Sequence, residues 1–277
     1  MVSPLISFLE TIMTDINTSK YFDLHTFALG YVEDIREVPV RKGSFLACRF
    51  SAIRTGTNGT TRFDLKVVGG HAKACINALK AMADAGQSVM VQAKIGDIYA
   101  EHFKYKAGKR EGEFGVNIKG RMLKVYSATA DGKPVELPPV PYKTEEAKAP
   151  PAGLVTSGVG YLNRVKKVSI GEGEHLWMAS IAALRGDLVE GGKVETTRFV
   201  LATAPEALDA AQSLQDALLA KKKVLVGFEA GNIRAELFQY ERGDKKGQTD
   251  AVLKGALMRL AWAKVDGEEF PLAEQAA

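Results

Sequence analysis

The residues in this chain whose types and spacing could do chemistry are cations that alternate with apolar side chains. Arg62 and Lys66 fall on one face of a predicted strand, whereas Phe63 and Leu65 fall on the other, because successive side chains of a strand point to opposite faces. Cations on an exposed strand can follow the phosphates of a polyanion, and flat side chains nearby can stack on bases. The pattern therefore predicts a surface for binding.

The same motif, Thr-Thr-Arg-Phe, occurs twice, at residues 60–63 and again at 196–199. What surrounds it also recurs, since the pattern Glu-x-Phe-x-Tyr at 101–105 returns at 236–240. Equivalent residues lie between 130 and 136 positions apart, and the offset changes only at predicted turns. Two copies of this length indicate a tandem pair of domains and not a solenoid of short repeats.

The repeat predicts the boundaries of the domains. The expected segments are an N-terminal extension (1–19), a first copy (20–137), a proline-rich charged linker (138–152), a second copy (153–272) and a short tail (273–277). The extension carries apolar residues at helical spacing, so we expect a short amphipathic helix there, and neither a secretion signal nor a membrane span.

Composition places the chain among ordinary globular proteins. It has 277 residues, of which 46% are hydrophobic and 25% charged. Cys48 and Cys75 lie in different predicted elements without the spacing of a zinc site, and we expect neither a disulfide nor a bound metal. A reducing cytoplasm is the expected location, with no membrane partner.

Each copy reads as three strands, a helix and further strands that end in a long hairpin. In the first copy the predicted elements are strands at 27–38, 45–54 and 60–68, a helix that begins after residue 70 and stops at 86, a strand at 89–95, a turn at 96–97, and strands at 99–105 and 114–126. Gly30 permits a bend in the first strand. This order is that of the OB-fold, a five-stranded Greek-key barrel. We therefore predict a mainly-β protein with one helix per copy, built as two tandem OB-folds.

Charge is unequally shared between the copies. From residue 20 to 137 there are 19 Lys and Arg against 12 Asp and Glu, a balance of +7, whereas residues 153–272 hold 16 of each. We expect the first copy to face a polyanion. Alternatively, the excess of positive charge only keeps the surface of the protein soluble.

The candidate nucleic-acid-binding residues lie on outward strand positions or near the hairpin. They are Arg36, Phe45, Arg49, Arg54, Arg62, Lys66, Lys94, Tyr99, Phe103, Lys104, Tyr105, Lys109, Arg110, Lys119 and Arg121 in the first copy, with Arg185 and Arg198 in the second. The aromatic members could equally be structural, and the charged hairpin tip could simply be solvated. Phe63, Phe199 and Trp177 lie on apolar faces, and we expect them in the core.

Motifs of catalysis are absent from the sequence. No phosphate loop of the form GxxxxGKS or GxxxxGKT occurs, and residues 158–160 lack the third glycine of a dinucleotide fingerprint. The four histidines have no counterparts in the other copy, and no cluster of carboxylates or metal ligands recurs between the copies. We expect no enzyme activity, cofactor or metal.

The segments 61–70 and 85–93, with 222–227 in the second copy, resemble the strand, helix and strand of bacterial single-stranded DNA-binding proteins. The chain as a whole resembles a family of replication-associated proteins carried by integrating conjugative elements. The residues that carry this resemblance are 19–25, 160–165, 182–186, 197–199, 222–228 and 262–267. The resemblance implies largely sequence-independent binding of single-stranded DNA, in replication or recombination of a mobile element or phage.

A different class of function is compatible with the same fold. OB-folds also bind proteins, and the neutral second copy would suit pairing of subunits into a homodimer through Trp177, Ile181 and Phe228. The two hypotheses differ in whether single-stranded DNA is a partner at all.

Overall fold

The computed structural model describes residues 22–139, 153–171, 173–187 and 194–273. The predicted N-terminal helix, most of the predicted linker and all but the first residue of the predicted tail lie outside these residues. Within the described part of the chain, no helix is long and apolar enough to cross a membrane. Cys48 and Cys75 are both buried free thiols.

The first copy has the predicted order of three strands, a helix and a long terminal hairpin. Its elements are β1 (His25–Val40), β2 (Gly43–Ile53), β3 (Thr60–Val67), α1 (Gly70–Asp84), β4 (Val89–Lys104), β5 (Phe114–Ala130) and the two-residue β6 (Lys133–Pro134). The helix buries one side, which carries Ala72, Cys75, Ile76 and Leu79, at the spacing that the sequence pattern predicted.

The second copy repeats this order with one difference. Its elements are β7 (Val155–Ser169), β8 (His175–Arg185), β9 (Glu195–Thr203), α2 (Pro205–Ser213), α3 (Gln215–Leu219), β10 (Val224–Gln239), β11 (Thr249–Val265) and β12 (Glu268–Phe270). The prediction of one helix per copy is wrong here, because the helix is divided at Leu214. The Ser213 hydroxyl donates to the Ala210 carbonyl over 2.8 Å, a local bond that competes with the helical ladder.

The predicted turn at Gly96-Asp97 is also wrong, because β4 runs through it without a break. The pairing with β5 shifts register between Gly96 and Tyr99, and Asp97 has a φ of +50°, so the dipeptide forms a bulge inside the strand. The neighbouring Gly120 leaves room for the bulge, since a Cβ there would lie 3.1 Å from Ile98 Cγ2. An Asp in a left-handed conformation costs less than most residues would.

The strands of the first copy pair in a closed circuit. The ladders β1–β2, β2–β3, β4–β5 and β1–β4 are antiparallel, and β3–β5 is parallel. The strands of the second copy pair in the corresponding order, β7–β8–β9–β11–β10–β7. Every strand of a circuit therefore has two partners, and no long edge is left for unwanted pairing.

The first strand of each copy carries a glycine at which two backbones approach closely. Gly30 pairs with both β2 and β4, and a Cβ at this position would lie 2.4 Å from the Ser51 carbonyl oxygen. Gly160 has the same surroundings, with 2.7 Å to the Ala182 carbonyl oxygen. This close approach of two backbones requires a glycine, whereas the bend expected at Gly30 stays a prediction.

The core confirms two aromatic predictions and corrects others. Phe63 and Phe199 are fully buried, and Phe199 meets Phe228 edge to face at 5.5 Å. Ile181 and Phe228 are equally buried, so they are unavailable for the subunit contact considered from the sequence. Trp177 is only partly buried, because the apolar face of β8 leaves the core towards that end of the strand.

By contacts, the chain divides into two compact units that do not coincide with the two copies. The first unit consists of His25–Thr156 and Gly231–Lys254, and the second of the chain up to Leu24, Ser157–Ala230 and Gly255–Ala277. The outer part of the hairpin of the second copy thus belongs to the first unit. Its attachment there is polar: the Asn232 side chain makes two 2.9 Å hydrogen bonds with the backbone of Thr55.

Candidate nucleic-acid interface

A groove of about 210 Å³ lies on the outward face of the first unit. Its walls are cationic and aromatic, and the lining residues are Arg36, Arg49, Arg62, Asp64, Phe103, Tyr105 and Asn117. Arg62 and Asp64 alternate along β3 with the buried Phe63 and Leu65, so packing of the core fixes the direction in which the polar side chains point. The structure therefore brings five of the predicted binding residues into one concave surface.

A row of charges crosses the floor of this groove. Arg49 on β2 is directly opposite Asp64 on β3, and Asp64 is directly opposite Lys119 on β5. The Asp64 carboxylate accepts hydrogen bonds from Lys119 Nζ at 2.5 Å and from Arg36 Nη2 at 2.7 Å. Asp64 thereby holds two cations of neighbouring strands in place.

A second carboxylate continues the row on β1. Asp34 has a φ of +51°, at a bulge where the pairing of β1 with β2 shifts register between Glu33 and Arg36. Asp34 Oδ2 lies 2.9 Å from Arg36 Nη1 and 3.2 Å from Arg49 Nη2. The bulge thus turns a carboxylate towards both arginines.

The ion pairs determine the titration of Asp64. Partial burial by itself would raise the pKa of this carboxyl, but the hydrogen bonds from Lys119 and Arg36 outweigh burial and hold the pKa below its usual value. Asp64 is therefore charged at neutral pH, and it stabilises the folded chain only while it is charged.

We expect Asp64→Asn to lower the free energy of unfolding by about 1 kcal/mol at neutral pH. A depressed carboxyl pKa gives stability that is fully present above the unfolded-state pKa of about 3.9 and is lost as pH falls through the folded-state pKa. Urea unfolding at a series of pH values should show the wild type and the variant converging below about pH 4. If the difference in the free energy of unfolding between wild type and variant stayed the same at acidic pH, the stabilising role of the Asp64 charge would be contradicted.

Two aromatic rings of the hairpin form one wall of the groove. The rings of Phe103 and Tyr105 meet edge to face with centroids 5.0 Å apart, and the Arg110 guanidinium lies 4.4 Å from the centre of the Tyr105 ring. Both rings cover Gly115, where a Cβ would lie 2.6 Å from Phe103 Cζ. The second hairpin repeats this arrangement, with Phe238 and Tyr240 also 5.0 Å apart.

Arg62 and Lys66 differ from the other cations of the groove region. Both are exposed on β3, and among the described residues no carboxylate lies within ion-pair distance of either. Lys66 Nζ lies 5.1 Å from the centre of the Phe45 ring, on the adjacent strand. These two cations are therefore available to phosphates without first losing an ion pair.

Several predicted cations are engaged elsewhere in the described structure. Arg121 pairs with Asp97 in the β4 bulge, and Arg185 pairs with Glu195 at 2.6 Å. The remaining predicted residues lie outside the groove lining: Phe45 on β2, Arg54 in the turn after β2, Lys66 on β3, Lys94 and Tyr99 on β4, Lys104, Lys109 and Arg110 in the hairpin, Lys119 beside Asp64, and Arg198 exposed on β9 in the second unit.

The sequence argument missed the carboxylates and the amide of the site. Asp64 falls between Arg62 and Lys66 with the same outward alternation, and that spacing was a usable signal. Asn117 lies opposite Glu101 in the hairpin, and the Asp34 carboxylate faces Arg36 and Arg49 from a bulge of β1. No local pattern indicates either of these placements.

The chain matches the family model described as "Protein of unknown function (DUF3577)" over residues 15–149 and again over 145–277. The chain belongs to the DUF3577 family. Among solved structures it is similar to wild-type single-stranded DNA binding protein from Thermus aquaticus, with 11% sequence identity and a TM-score of 0.43, over 94% of this chain and 98% of that chain. A deletion mutant of the same protein gives 8% identity and a TM-score of 0.38, over 91% and 98%. A search of curated protein sequences gives no significant match.

The two DUF3577 copies differ at the positions that build the charged row. The equivalents of Arg49, Asp64 and Lys66 in the second copy are Ser180, Val200 and Ala202, by the registers of the β-ladders. The arginine of the repeated motif is kept as Arg198, and cations also remain at the equivalents of Arg36 and Lys119, which are Lys166 and Lys254. The charged residues Arg49, Asp64 and Lys66 are therefore particular to the first copy.

Proposed function

We propose that this DUF3577 protein binds single-stranded DNA, largely independently of sequence, through the groove of its first unit. The observation that carries the proposal is the meeting of Arg36, Arg49 and Arg62 with Phe103 and Tyr105 in one groove. Cations can follow the phosphates while rings stack on bases, and neither contact depends on which base is present. The groove thus has the two ingredients that single-strand binding needs.

We further infer that each circuit of five strands is the Greek-key barrel of the OB-fold. A parallel ladder between the third and the last strand closes the first circuit, with the helix inserted before the fourth strand. Such barrels bind oligonucleotides on the face of their second and third strands and at the adjoining loops. Arg49 and Arg62 lie on those two strands, and the ring pair lies on the hairpin beside them.

The ion pairs of the groove predict a strong dependence on salt. Phosphates compete with Asp34 and Asp64 for Arg36 and Arg49, so binding exchanges one set of ion pairs for another and releases counterions from the DNA. Each neutralised phosphate of a single strand contributes about −0.7 to the slope of log affinity against log salt. Engagement of the three arginines should give a slope of about −2.

The decisive experiment is a fluorescence titration with oligo(dT) at several salt concentrations. We expect saturable binding at low salt, with the slope given above, and weaker binding to duplex of the same length. Oligo(dA) and mixed sequences should bind within about tenfold of oligo(dT), because stacking tolerates every base. Absence of binding to all of them at low salt would refute the proposed function.

Removal of one ring should weaken this binding measurably. We expect Tyr105→Ala to lower the affinity for oligo(dT) about tenfold, since a stacked base is worth roughly 1–3 kcal/mol. Tyr105→Phe is the matched control, because it keeps the ring and loses only the hydroxyl that accepts from Arg110. Equal loss in the two variants would assign the effect to the hydroxyl and not to stacking.

We propose replication or recombination of a mobile element as the setting, on the resemblance described above. A reconstituted strand-exchange or primer-extension assay on a single-stranded template would test it. The protein should relieve pausing at template hairpins, and an Arg62→Glu/Lys66→Glu variant should not. Equal relief by wild type and variant would exclude a role that depends on the groove.

Assembly of copies through the second OB-fold is a second candidate function. The second unit exposes three large apolar side chains, with Ile170 at 60%, Leu219 at 79% and Met258 at 44% of their possible exposure. Mass measurement in solution, with and without oligonucleotide, would separate the candidates. A dimer that forms without DNA and dissociates on Leu219→Lys or Met258→Lys substitution would support assembly.

A further inference from the structure

A second cluster of cations and rings lies on the outward face of β1, β4 and β5, apart from the groove. Phe27 on β1 is directly opposite Lys94 on β4, and Lys94 is directly opposite Lys124 on β5. Tyr126 follows two residues later on β5, beside a shift of register. The four side chains, here called the β1–β4–β5 cluster, form one row across three strands of the first unit.

Rings and ammonium groups alternate within this cluster. The rings of Phe27 and Tyr126 have centroids 6.3 Å apart and planes inclined by 36°. Lys94 Nζ lies 5.7 Å from the centre of the Phe27 ring, and Lys124 Nζ lies 4.8 Å from the centre of the Tyr126 ring. All four residues are only partly buried. The cluster therefore offers flat surfaces and positive charge at the same exposed place.

The equivalent face in the second unit is covered by the chain itself. Phe22, ahead of β1, is 5% exposed and packs with Leu184 and Leu225. Tyr161 and Trp262 pack against this group. Five apolar side chains thus close the outward face of β7 and β10.

The corresponding face of the first unit has smaller or more exposed side chains among the described residues. By the offsets of the repeat, Ser127 stands at the position equivalent to Trp262. Tyr31, the counterpart of Tyr161, is 36% exposed, and Met90, the counterpart of the buried Leu225, is only partly buried. The first copy keeps this sheet face more open than the second copy does.

The β1–β4–β5 cluster itself is particular to the first copy. Counterparts in the second copy are Ser157 for Phe27, Glu229 for Lys94 and Ala261 for Tyr126, whereas Lys124 alone keeps a cation, Arg259. Both rings are lost and one charge is reversed. The sheet face that is more open, that of the first copy, thus also carries the aromatic rings and the lysines.

The chemistry of the cluster favours one kind of occupant. A second copy of the chain, packed face to face about a twofold axis, would bring Lys94 and Lys124 close to the same lysines of its partner, and like charges at an interface are strongly unfavourable. An apolar segment would take the two ammonium groups out of water and offer them no anion of its own. Nucleic acid satisfies both kinds of group at once, because bases can cover the rings and phosphates can meet the lysines.

We propose that the β1–β4–β5 cluster is a second contact site for the same molecule of single-stranded DNA that occupies the groove. This inference rests on the proposed function. Strand β1 carries both sites: Phe27 lies in the cluster and Arg36 in the groove, and nine residues of extended chain span at most about 30 Å. A DNA strand that extends beyond the groove along β1 would reach the cluster, whereas an oligonucleotide of about 4 nucleotides, the lower limit of the site size of one OB-fold, would fill only the groove.

The test compares Lys94→Glu/Lys124→Glu with the wild type on two lengths of oligo(dT). The short one has about 4 nucleotides, the smallest site size of one OB-fold, and the long one has about 35 nucleotides, enough for several. We expect the long oligonucleotide to bind about tenfold more weakly to the variant, and its salt slope to become shallower by about 1.4, or 0.7 for each lysine. Affinity for the short oligonucleotide should be unchanged. Lys73→Glu/Lys133→Glu, at two exposed lysines away from both sites, is the charge-matched control and should change the affinity for either length by less than about threefold.

A second readout detects the contact directly and does not depend on charge reversal. Photo-crosslinking with oligonucleotides that carry 5-bromodeoxyuridine, followed by peptide mass spectrometry, should give adducts on Phe27 or Tyr126 with the long oligonucleotide only. Circular dichroism of Lys124→Gln and Tyr126→Phe, which keep the shape of the side chains, checks that the face is folded. Tyr126→Phe should retain the adduct at Phe27.

The outcomes separate this inference from the proposed function. If long and short oligonucleotides lose affinity equally, or neither does, and no adduct forms at the cluster, the inference is overturned while groove binding stands. If the wild type is a dimer that the variant dissociates without change in DNA affinity, the face is a contact between copies and the inference is again overturned. If the wild type binds neither oligonucleotide, the proposed function itself fails.

Discussion

Arg62→Glu/Lys66→Glu is expected to lower the affinity for oligo(dT) at low salt by about 100-fold or more. The two residues are exposed on β3, and they lack the carboxylate partners that hold Arg36 and Lys119. Reversal replaces two attractive contacts with phosphates by two repulsive ones, in a groove whose remaining arginines are already shared with Asp34 and Asp64. Fluorescence titration at a fixed low salt concentration measures the effect.

Controls for this prediction are available on the same unit. Lys73→Glu/Lys133→Glu changes the net charge by the same amount at exposed positions outside the groove and should cost less than about threefold, because distant charges are screened. The stability of the Arg62→Glu/Lys66→Glu variant should remain close to that of the wild type, since surface substitutions usually change stability by less than about 0.5 kcal/mol. Equal loss of affinity in both double variants would show that binding depends only on net charge. The groove would then not be the binding site.

Gly30→Ala is expected to destabilise the protein by about 3 kcal/mol, the largest effect on folding that we predict from one methyl group. The new Cβ would lie 2.4 Å from the Ser51 carbonyl oxygen and 2.7 Å from Ala52 Cα. Both are backbone atoms of the paired strand β2, so relief requires separation of β1 from β2 and loss of ladder hydrogen bonds. Equilibrium unfolding in urea, monitored by circular dichroism, measures the change.

Gly70→Ala is the matched control for this substitution. Gly70 begins α1, and a Cβ there would meet no atom within 4 Å. The free energy of unfolding should change by less than about 0.5 kcal/mol, or rise slightly, because alanine favours the helix over glycine. If Gly30→Ala were as neutral as this control, the close approach of β1 and β2 could not be what requires a glycine at this position.

The order of elements was predictable because each element has its own local signal. The alternation at Phe63 and Leu65 marks β3, and the spacing of Ala72, Ile76 and Leu79 marks α1. The prediction of elements failed where the conformation of a residue depends on a partner distant in sequence. Gly96-Asp97 reads as a turn, yet Gly120 on the neighbouring strand makes room for it to be a bulge.

The candidate site was predictable in composition and not in arrangement. Alternation along β3 correctly separated Arg62 from Phe63, because core packing enforces a period of two. The sequence could not indicate that Asp64 would hold Arg36 and Lys119, since these three residues come from β3, β1 and β5. Nor did it indicate the β1–β4–β5 cluster, whose members meet only through the registers of two ladders.

The sequence by itself determined the duplication, the period of each element and the excess of positive charge in the first copy. These properties follow from the order of residues along the chain, and they need no knowledge of distant contacts. Only the tertiary structure decided which cations are tied to carboxylates, which rings share a groove, and that Gly231–Lys254 belongs with the first unit. Those features depend on strand pairing between residues far apart in sequence, where a change of register by one residue would turn every side chain to the other face.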